Sequence, residues 1–488
     1  MSLEFAPSAS DAIPIWFATK ETWDEVRRAF AAPAAAFAAA VGFEPIPGAC
    51  QLLPDAQGGL ASVVFGLDSG DSRDRDPMLP GKLAGALPAG TYRFANAPED
   101  ASLAALAFLL GLYRFSRYRE AKKAQPRLVA PQGVDGARLE RIAGAIAFGR
   151  DLVNTPANDL GPDALEREAL QLAQSLGANV EITRGDDLLA NNLPLIHAVG
   201  RASAQQPRLV DFVWGRGDAP KVTLIGKGVT FDTGGLDIKP ASAMEIMKKD
   251  MGGAAAALSL ARMIMEAKLD VRLRTLVPIV ENSISANAFR PGDVIKSRSG
   301  LTVEIGNTDA EGRLILADAL SLADGEAPAL LLDFATLTGA ARVALGPDLP
   351  PFYTDDEALA GEIARHSAAV CDPLWRLPLW RPYDKLVAGK IADLSNSPSS
   401  PFAGSITAAL FLRRFVTNAK AWAHFDIYAW NLTARAHGPE GGEVQAARAL
   451  FALIDERFGG KNRDARARRK SSRLRRTSSG RAPPPSRD

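Results

Sequence analysis

Cysteine is scarce in this 488-residue sequence: there are two, Cys50 and Cys371, and neither sits in a CxxC pair. Two distant thiols make no disulfide framework, so a reducing compartment is the simple expectation. There are only four histidines, His197, His366, His424 and His437. None is spaced as an HExxH or His-x-His ligand set, which argues against a zinc site built on histidines. Charge of one sign is also missing: 57 Lys/Arg against 56 Asp/Glu give a formal +1. No apolar run reaches the roughly 18 residues that span a bilayer. The opening MSLEFAPSASDAIPIWF has no basic segment followed by an apolar one. Neither a secretory signal nor a membrane partner is expected, and the cytoplasm is the expected location.

What remains is globular material. Hydrophobic residues make up 47% and charged residues 23%, enough to build a core, and the length favours two or three domains. The near-zero net charge hides an asymmetry. Residues 461–488 hold eleven Lys/Arg and two Asp, a net +9, which against the total of +1 leaves residues 1–460 at −8. The tail is rich in Arg, Ser and Pro and has almost nothing to bury, so disorder is expected there. Nucleic acid is a conceivable partner only through this tail.

The fold expected is α/β in two domains. A smaller N-terminal α/β domain covers 1–134, where the Ala-rich stretch 29–42, broken by Pro33, and 101–123 read as helical and no chemical motif stands out. A long amphipathic helix (137–154, ending before Pro156) lies within a connector, 135–153. The larger catalytic domain covers 154–460. There KVTLIG (221–226), VRLRTLVPIV (271–280), LTVEI (301–305), ALLLDFA (329–335) and AWAHFDI (421–427) read as strands. GGAAAALSLARMIMEAK (252–268) and RLILADALSLAD (313–324) read as helices. Alternation of this kind predicts a mostly parallel sheet flanked by helices, with sites beyond the carboxyl ends of its strands.

Three segments carry charge at those places. GKGVTFDTGGLDIKP (226–240) holds Lys227, Asp232, Asp237 and Lys239 among glycines. It is no phosphate loop, because position 221 is Lys where Gly is needed and Lys227 is followed by Gly228. MKKDMGG (247–253) places Asp250 before a helix, where it also reads as an ordinary N-cap, with Lys248 and Lys249 as a solvated face. NTDAEGRL (307–314) places Asp309, Glu311 and Arg313 at a helix start, where the acids also suit the helix dipole. Together, four carboxylates converge with Lys227, Lys239 and Arg313. Carboxylates packed this way repel unless cations intervene, and a pair of divalent ions about 3.5–4 Å apart does this well. His424, flanked by apolar residues, reads as structural, and Asp237 as a turn residue.

GKGVTFDTGG, KKDMGGAAA and NTDAEGRL resemble the signature segments of the leucyl aminopeptidase family of two-metal exopeptidases. RDLVNTPAN (150–158), ATLTGA (335–340), GSITAA (404–409) and WAHFDI (422–427) extend the similarity over about 150–455. Thr233 stands where many members have Ser, and Ala403 where Gly is usual; the basic tail has no counterpart. The resemblance implies a metal-dependent aminopeptidase acting on peptides. It implies Lys227, Asp232, Asp250 and Glu311 as ligands of a tighter metal site, and Asp232, Asp309 and Glu311 as ligands of an exchangeable one. The two divalent ions would be Zn or Mn. Lys239 resembles a catalytic lysine near the scissile carbonyl. Arg313 resembles the anchor of a bicarbonate that serves as general base. Met247, Asn307, Thr336 and Leu337 match positions near the substrate side chain, expected to be Leu or another apolar residue. A homohexamer is implied as well. For Lys227 to ligate as a neutral amine, its pKa must be strongly lowered. Two other readings compete: a two-metal phosphoesterase, and a non-catalytic DNA-binding or scaffold member.

Overall fold

The computed structural model describes residues 3–8, 10–70, 75–119 and 124–459. The basic tail expected at 461–488 lies outside the described residues. Two α/β units follow one another, as expected.

The first unit is a five-stranded sheet in the order Cys50–Pro54, Leu60–Gly66, Ile13–Ala18, Gly90–Phe94, Pro126–Leu128. All neighbours run parallel except the first pair. In the Ala-rich stretch Pro33 stands in the first turn of a helix, Ala32–Ala40, where its missing N–H is harmless. The helix expected over 101–123 is shorter, Ala101–Gly111. Asp100 caps its start by accepting from Leu103 N. At its end the Arg114 guanidinium takes the carbonyls of Gly111 and Tyr113. Gly111 also lets the Gly81 carbonyl approach to within 2.5 Å of where a Cβ would stand.

Helix Gly136–Asn154 starts at an Asp135 cap. It does more than connect, because it packs along helix Gly252–Glu266. A Cβ at Gly149 would lie 2.3 Å from Ser259 Oγ, so glycine is what brings the two helices together.

The second unit is built on a nine-stranded sheet. Its order is Trp375–Arg376, Pro351–Tyr353, Trp422–Asp426, Leu330–Ala335, Lys221–Gly226, Arg272–Asn282, Arg208–Trp214, Asn179–Arg184, with Gly228–Asp232 added beside Arg272–Asn282. The four central strands are parallel, and antiparallel pairings appear toward both edges. The central strands read as unbroken apolar runs because both faces are covered. Leu224, Leu332, Phe334 and Phe425 pack into the core that includes helix Gly252–Glu266. Ile225, Leu331, Ala335 and Trp422 pack into the core that includes helices Glu311–Asp324 and Gly404–Arg413. One expected strand belongs elsewhere. Thr302–Glu304 pairs with Val294–Lys296 and Leu394–Ser395 in a small separate sheet. With three residues it is too short to cross the large sheet. Among the described residues, no helix is long and apolar enough to cross a membrane.

Candidate metal centre

Every charged residue singled out in the sequence comes from a turn at the carboxyl end of a strand or from the helix start that faces it. Lys227 follows strand Lys221–Gly226, and Asp232 closes strand Gly228–Asp232. Gly234 (φ 88) and Gly235 (φ 65) then reverse the chain in the left-handed region, which glycine enters without strain. Lys239 N returns to the Thr233 carbonyl at 3.0 Å, and its ammonium points back at the site. Asp250 lies in the 3-10 turn Met247–Met251, and Glu311 and Arg313 in the first turn of helix Glu311–Asp324.

The geometry brings the four carboxylates and both lysines together. Lys227 Nζ lies 2.8 Å from Asp250 Oδ2 and 2.8 Å from Glu311 Oε1. Lys239 Nζ lies 2.8 Å from Asp232 Oδ2 and also meets Asp309 Oδ1. Asp232, Asp309 and Glu311 each offer an oxygen within 4.8 Å of the others. A Cβ at Gly312 would meet Lys227 Nζ at 2.6 Å, so only glycine lets that helix start against the lysine.

These residues fit divalent ions. Glu311 Oε2 is buried without a partner, and Asp250 Oδ2, Glu311 Oε1 and Asp309 Oδ1 meet only the two lysine ammonium groups. Buried oxygens of this kind need a partner, and hard cations are suitable ones. Burial and the nearby Asp232 push the Glu311 carboxyl up to about 8 and the Asp309 carboxyl up to about 6. Burial likewise raises Asp250. Burial opposes the Lys227 ammonium, but Asp250, Glu311 and Asp232 outweigh it and hold its pKa above the usual range. The lowering that ligation by Lys227 needs therefore falls to bound dications and not to burial alone. The carboxylates stabilise the proton, so ligation by Nζ requires a dication that offsets their charge.

Two local readings give way to tertiary ones. Asp250 is no N-cap: the cap position of helix Gly252–Glu266 is Met251, with no side-chain bond. The Asp250 carboxylate instead faces Lys227 and accepts from Thr336 Oγ1 at 2.7 Å. Nor are Lys248 and Lys249 a solvated face. Lys248 donates to the Asn154 carbonyl at 2.7 Å. Lys249 is buried, its Nζ 4.4 Å from the Tyr428 ring centroid, and burial lowers its pKa to about 8.

The expected substrate-side residues line up beside this cluster. Met247 is half-buried in the turn that carries Asp250. Thr336 and Leu337 follow strand Leu330–Ala335, and Leu337 N donates to Asp426 Oδ1 at 3.0 Å. Asn307 accepts from Asp309 N at 2.8 Å. Arg313 is buried; Nη1 donates to the Asn396 carbonyl at 2.7 Å, while Nε has no partner. An unpaired buried guanidinium donor suits a small oxyanion.

Two residues that hold the site carry no motif. Asn282 donates to Asp232 Oδ1 at 2.8 Å and to the Thr308 carbonyl at 3.1 Å. The Asn396 side chain accepts from Gly306 N and Asn307 N and donates to the Asn307 carbonyl. Asp237 is an exposed turn residue, as expected, and also accepts from Thr308 N at 2.7 Å. His424 is structural in character: it is fully buried, with Nδ1 2.5 Å from Asp333 Oδ1. Asp333 in turn accepts from Trp422 Nε1 at 2.8 Å and touches no proposed ligand.

Comparison with known proteins converges on one family. Residues 147–451 match the catalytic domain of the cytosol aminopeptidase family, and residues 13–131 match the M17 aminopeptidase N-terminal domain. A probable cytosol aminopeptidase of Syntrophotalea carbinolica is 40% identical over 366 residues, which cover 71% of this chain and 73% of that one. One of Roseiflexus castenholzii is 41% identical over 364 residues, covering 71% and 74%. The crystal structure of a cytosol aminopeptidase from Coxiella burnetii superposes with a TM-score of 0.88 at 43% identity, covering 94% of this chain and 100% of that one. A bottromycin maturation enzyme, BotP, in complex with Mn superposes with a TM-score of 0.80 at 33% identity, covering 91% and 99%.

Proposed function

The chain belongs to the cytosol aminopeptidase family of metal-dependent exopeptidases, and on that premise we propose that it removes N-terminal residues from peptides by a two-metal mechanism. The observation that carries this reading is the convergence of the buried carboxylates Asp232, Asp250, Asp309 and Glu311 around Lys227 and Lys239, with Glu311 Oε2 left without a partner. Lys227, Asp232, Asp250 and Glu311 would hold one divalent ion, and Asp232, Asp309 and Glu311 a second. Bound there, the ions supply activation of a water and polarisation of the scissile carbonyl. Zn and Mn both suit a set of oxygens with one nitrogen.

The chain's own residues do the rest. Lys239 presents an ammonium at the carboxylate edge of the site, where it can stabilise charge that develops on the carbonyl oxygen. Arg313, with its unpaired Nε, would hold a bicarbonate, which would supply the general base. Met247, Asn307, Thr336 and Leu337 wall the subsite for the first side chain, which we take to be Leu or another apolar residue. An aminopeptidase needs a partner for the free α-amine, and the carboxylate-held charge offers one that an internal peptide bond cannot exploit. A homohexamer in the cytoplasm completes the proposal, and a light-scattering mass of one or two subunits would contradict the hexamer.

The deciding experiment is hydrolysis of leucine p-nitroanilide by chelator-stripped protein titrated with Mn²⁺ and with Zn²⁺. Activity that returns with metal supports the reading and shows which ion serves. A folded protein that cleaves phosphate esters and no aminoacyl amide would be a phosphoesterase instead. One that cleaves neither would be a scaffold. For the DNA-binding reading, the observable is salt-sensitive binding to DNA that depends on residues 461–488.

A further inference from the structure

Two segments singled out in the sequence, GSITAA (404–409) and WAHFDI (422–427), supply none of the proposed metal ligands. The structure gives them a common centre in Asp426, which is only 3% exposed. Asp426 ends strand Trp422–Asp426, and the parallel register sets it beside Ala335, directly before Thr336. Its Oδ1 accepts from Leu337 N at 3.0 Å and from Thr338 N at 3.1 Å. Its Oδ2 accepts from Thr338 Oγ1 at 2.6 Å and from Ser405 Oγ at 2.9 Å. Ser405 in turn bonds the Tyr353 hydroxyl at 2.6 Å, and both residues are buried. Four charge-assisted bonds hold this carboxylate in one orientation.

What Asp426 fixes is the peptide unit between Thr336 and Leu337. The N–H of that unit goes to Asp426, and its carbonyl accepts from Lys227 Nζ at 3.3 Å. A peptide unit is planar, so orienting its N–H also orients its carbonyl. Lys227 Nζ meets Asp250, Glu311 and this carbonyl, and only the carbonyl is neutral. The same residue reaches a second proposed ligand: Thr336 Oγ1 bonds the Asp250 carboxylate at 2.7 Å and the Asp250 main-chain carbonyl at 3.0 Å. Lys227 and Asp250 are the two residues proposed for the tighter ion alone. Asp309, proposed for the exchangeable ion alone, comes from another turn, where its N–H is held by Asn307.

We propose that Asp426 is a positioning residue for the tighter metal site, acting through the Thr336–Leu337 peptide to aim the Lys227 amine and the Asp250 carboxylate. This rests on the two-metal reading above. The exchangeable ion does not depend on this clamp.

The test is calorimetric titration of chelator-stripped, full-length protein with Mn²⁺, read as the ratio of the two dissociation constants. Loss of a buried charge weakens both ions, whereas loss of the clamp weakens the tighter one, so the ratio separates the two causes. Asp426→Ala is expected to bring the tighter constant at least about tenfold closer to the weaker one. Asp426→Asn keeps an oxygen for the two N–H groups, and the Thr338 and Ser405 hydroxyls can turn to accept from its amide. Its ratio is expected to stay within about twofold of wild type. Thr338→Val removes one bond to Asp426 and leaves the charge, with an expected shift of about fivefold; it reports even where Asp426→Ala fails to fold. An unchanged ratio in folded Asp426→Ala or Thr338→Val overturns the proposal, as does a shift in Asp426→Asn as large as that in Asp426→Ala. A wild type that takes up fewer than two ions overturns the two-metal reading and this inference with it.

Discussion

Arg313 and Asn396 are joined side chain to main chain: Arg313 Nη1 donates to the Asn396 carbonyl at 2.7 Å, across 83 positions of sequence. The Asn396 side chain meanwhile clamps the turn that leads into NTDAEGRL, through Gly306 N, Asn307 N and the Asn307 carbonyl. One residue thus fixes both the guanidinium and the loop that delivers Asp309 and Glu311.

Asn396→Ala therefore removes four side-chain hydrogen bonds, the fourth to the Ala310 carbonyl, and frees the 306–310 turn. We expect kcat/KM for leucine p-nitroanilide to fall about 10- to 100-fold at saturating metal, as misplaced supporting residues commonly cause. Kinetics on metal-saturated, folded protein check this. Wild-type kcat/KM in that variant would show that Asn396 merely fills space.

The ligands and the braces were not equally legible. Lys227, Asp232, Asp250, Asp309 and Glu311 stand out because charge in Gly-rich turns at strand ends is improbable without a use. Asn282 and Asn396 do not, since a single amide at a strand end or in a Ser/Pro-rich loop looks like any turn residue. Their partners are far away in sequence, 50 positions for Asn282 with Asp232. Asp250 and Lys249 mislead for a related reason. Local rules give a cap and a solvated cation, whereas the neighbours that decide both, Lys227 and Tyr428, arrive through tertiary packing. The parallel sheet was legible from its apolar strands. The separate sheet of Thr302–Glu304 was not, because three residues carry too little pattern.

Metal should stabilise the fold as well as activate it. Four carboxylates crowd a buried site in which Glu311 and Asp309 are pushed toward protonation by burial and by Asp232. An ion that binds only the native state adds about 2.7 kcal/mol at a hundredfold excess over its Kd. Chelation is expected to lower the melting temperature by several degrees, and Mn²⁺ or Zn²⁺ to restore it. A calorimetric melt unchanged by chelator and by added ion would argue that these oxygens hold no metal.

Gly312 tests the crowding directly. A Cβ there would stand 2.6 to 2.8 Å from Lys227 Nζ, Cε and Cδ, and Lys227 has no free direction, being held by Asp250, Glu311 and the Thr336 carbonyl. Gly312→Ala should displace the Lys227 amine and weaken the tighter ion about tenfold or more, while the fold persists. Metal titration by calorimetry reads the affinity; an unaltered tighter site would remove Lys227 from the ligand set.

Arg150 and Glu443 carry the pH dependence that is easiest to sign. The pair is buried, Nη2 2.8 Å from Oε2 and Nε 3.0 Å from Oε1, and ties helix Gly136–Asn154 to the segment that also positions Asn431. Burial works against the Glu443 carboxylate, but Arg150 outweighs it and holds the pKa down at about 2. A carboxyl whose folded pKa lies below its unfolded value of about 4.3 stabilises the protein above that value. The contribution is lost as pH falls from there toward 2. Glu443→Gln should therefore cost about 3 kcal/mol at pH 7, leaving Arg150 buried without its counter-charge. At pH 3 the wild type has itself lost about half of the term, and the difference should shrink to about 1.4 kcal/mol. Urea denaturation of both proteins at the two pH values measures it. An equal difference at both would mean that the pair acts through packing and hydrogen bonds that do not depend on the charge of Glu443.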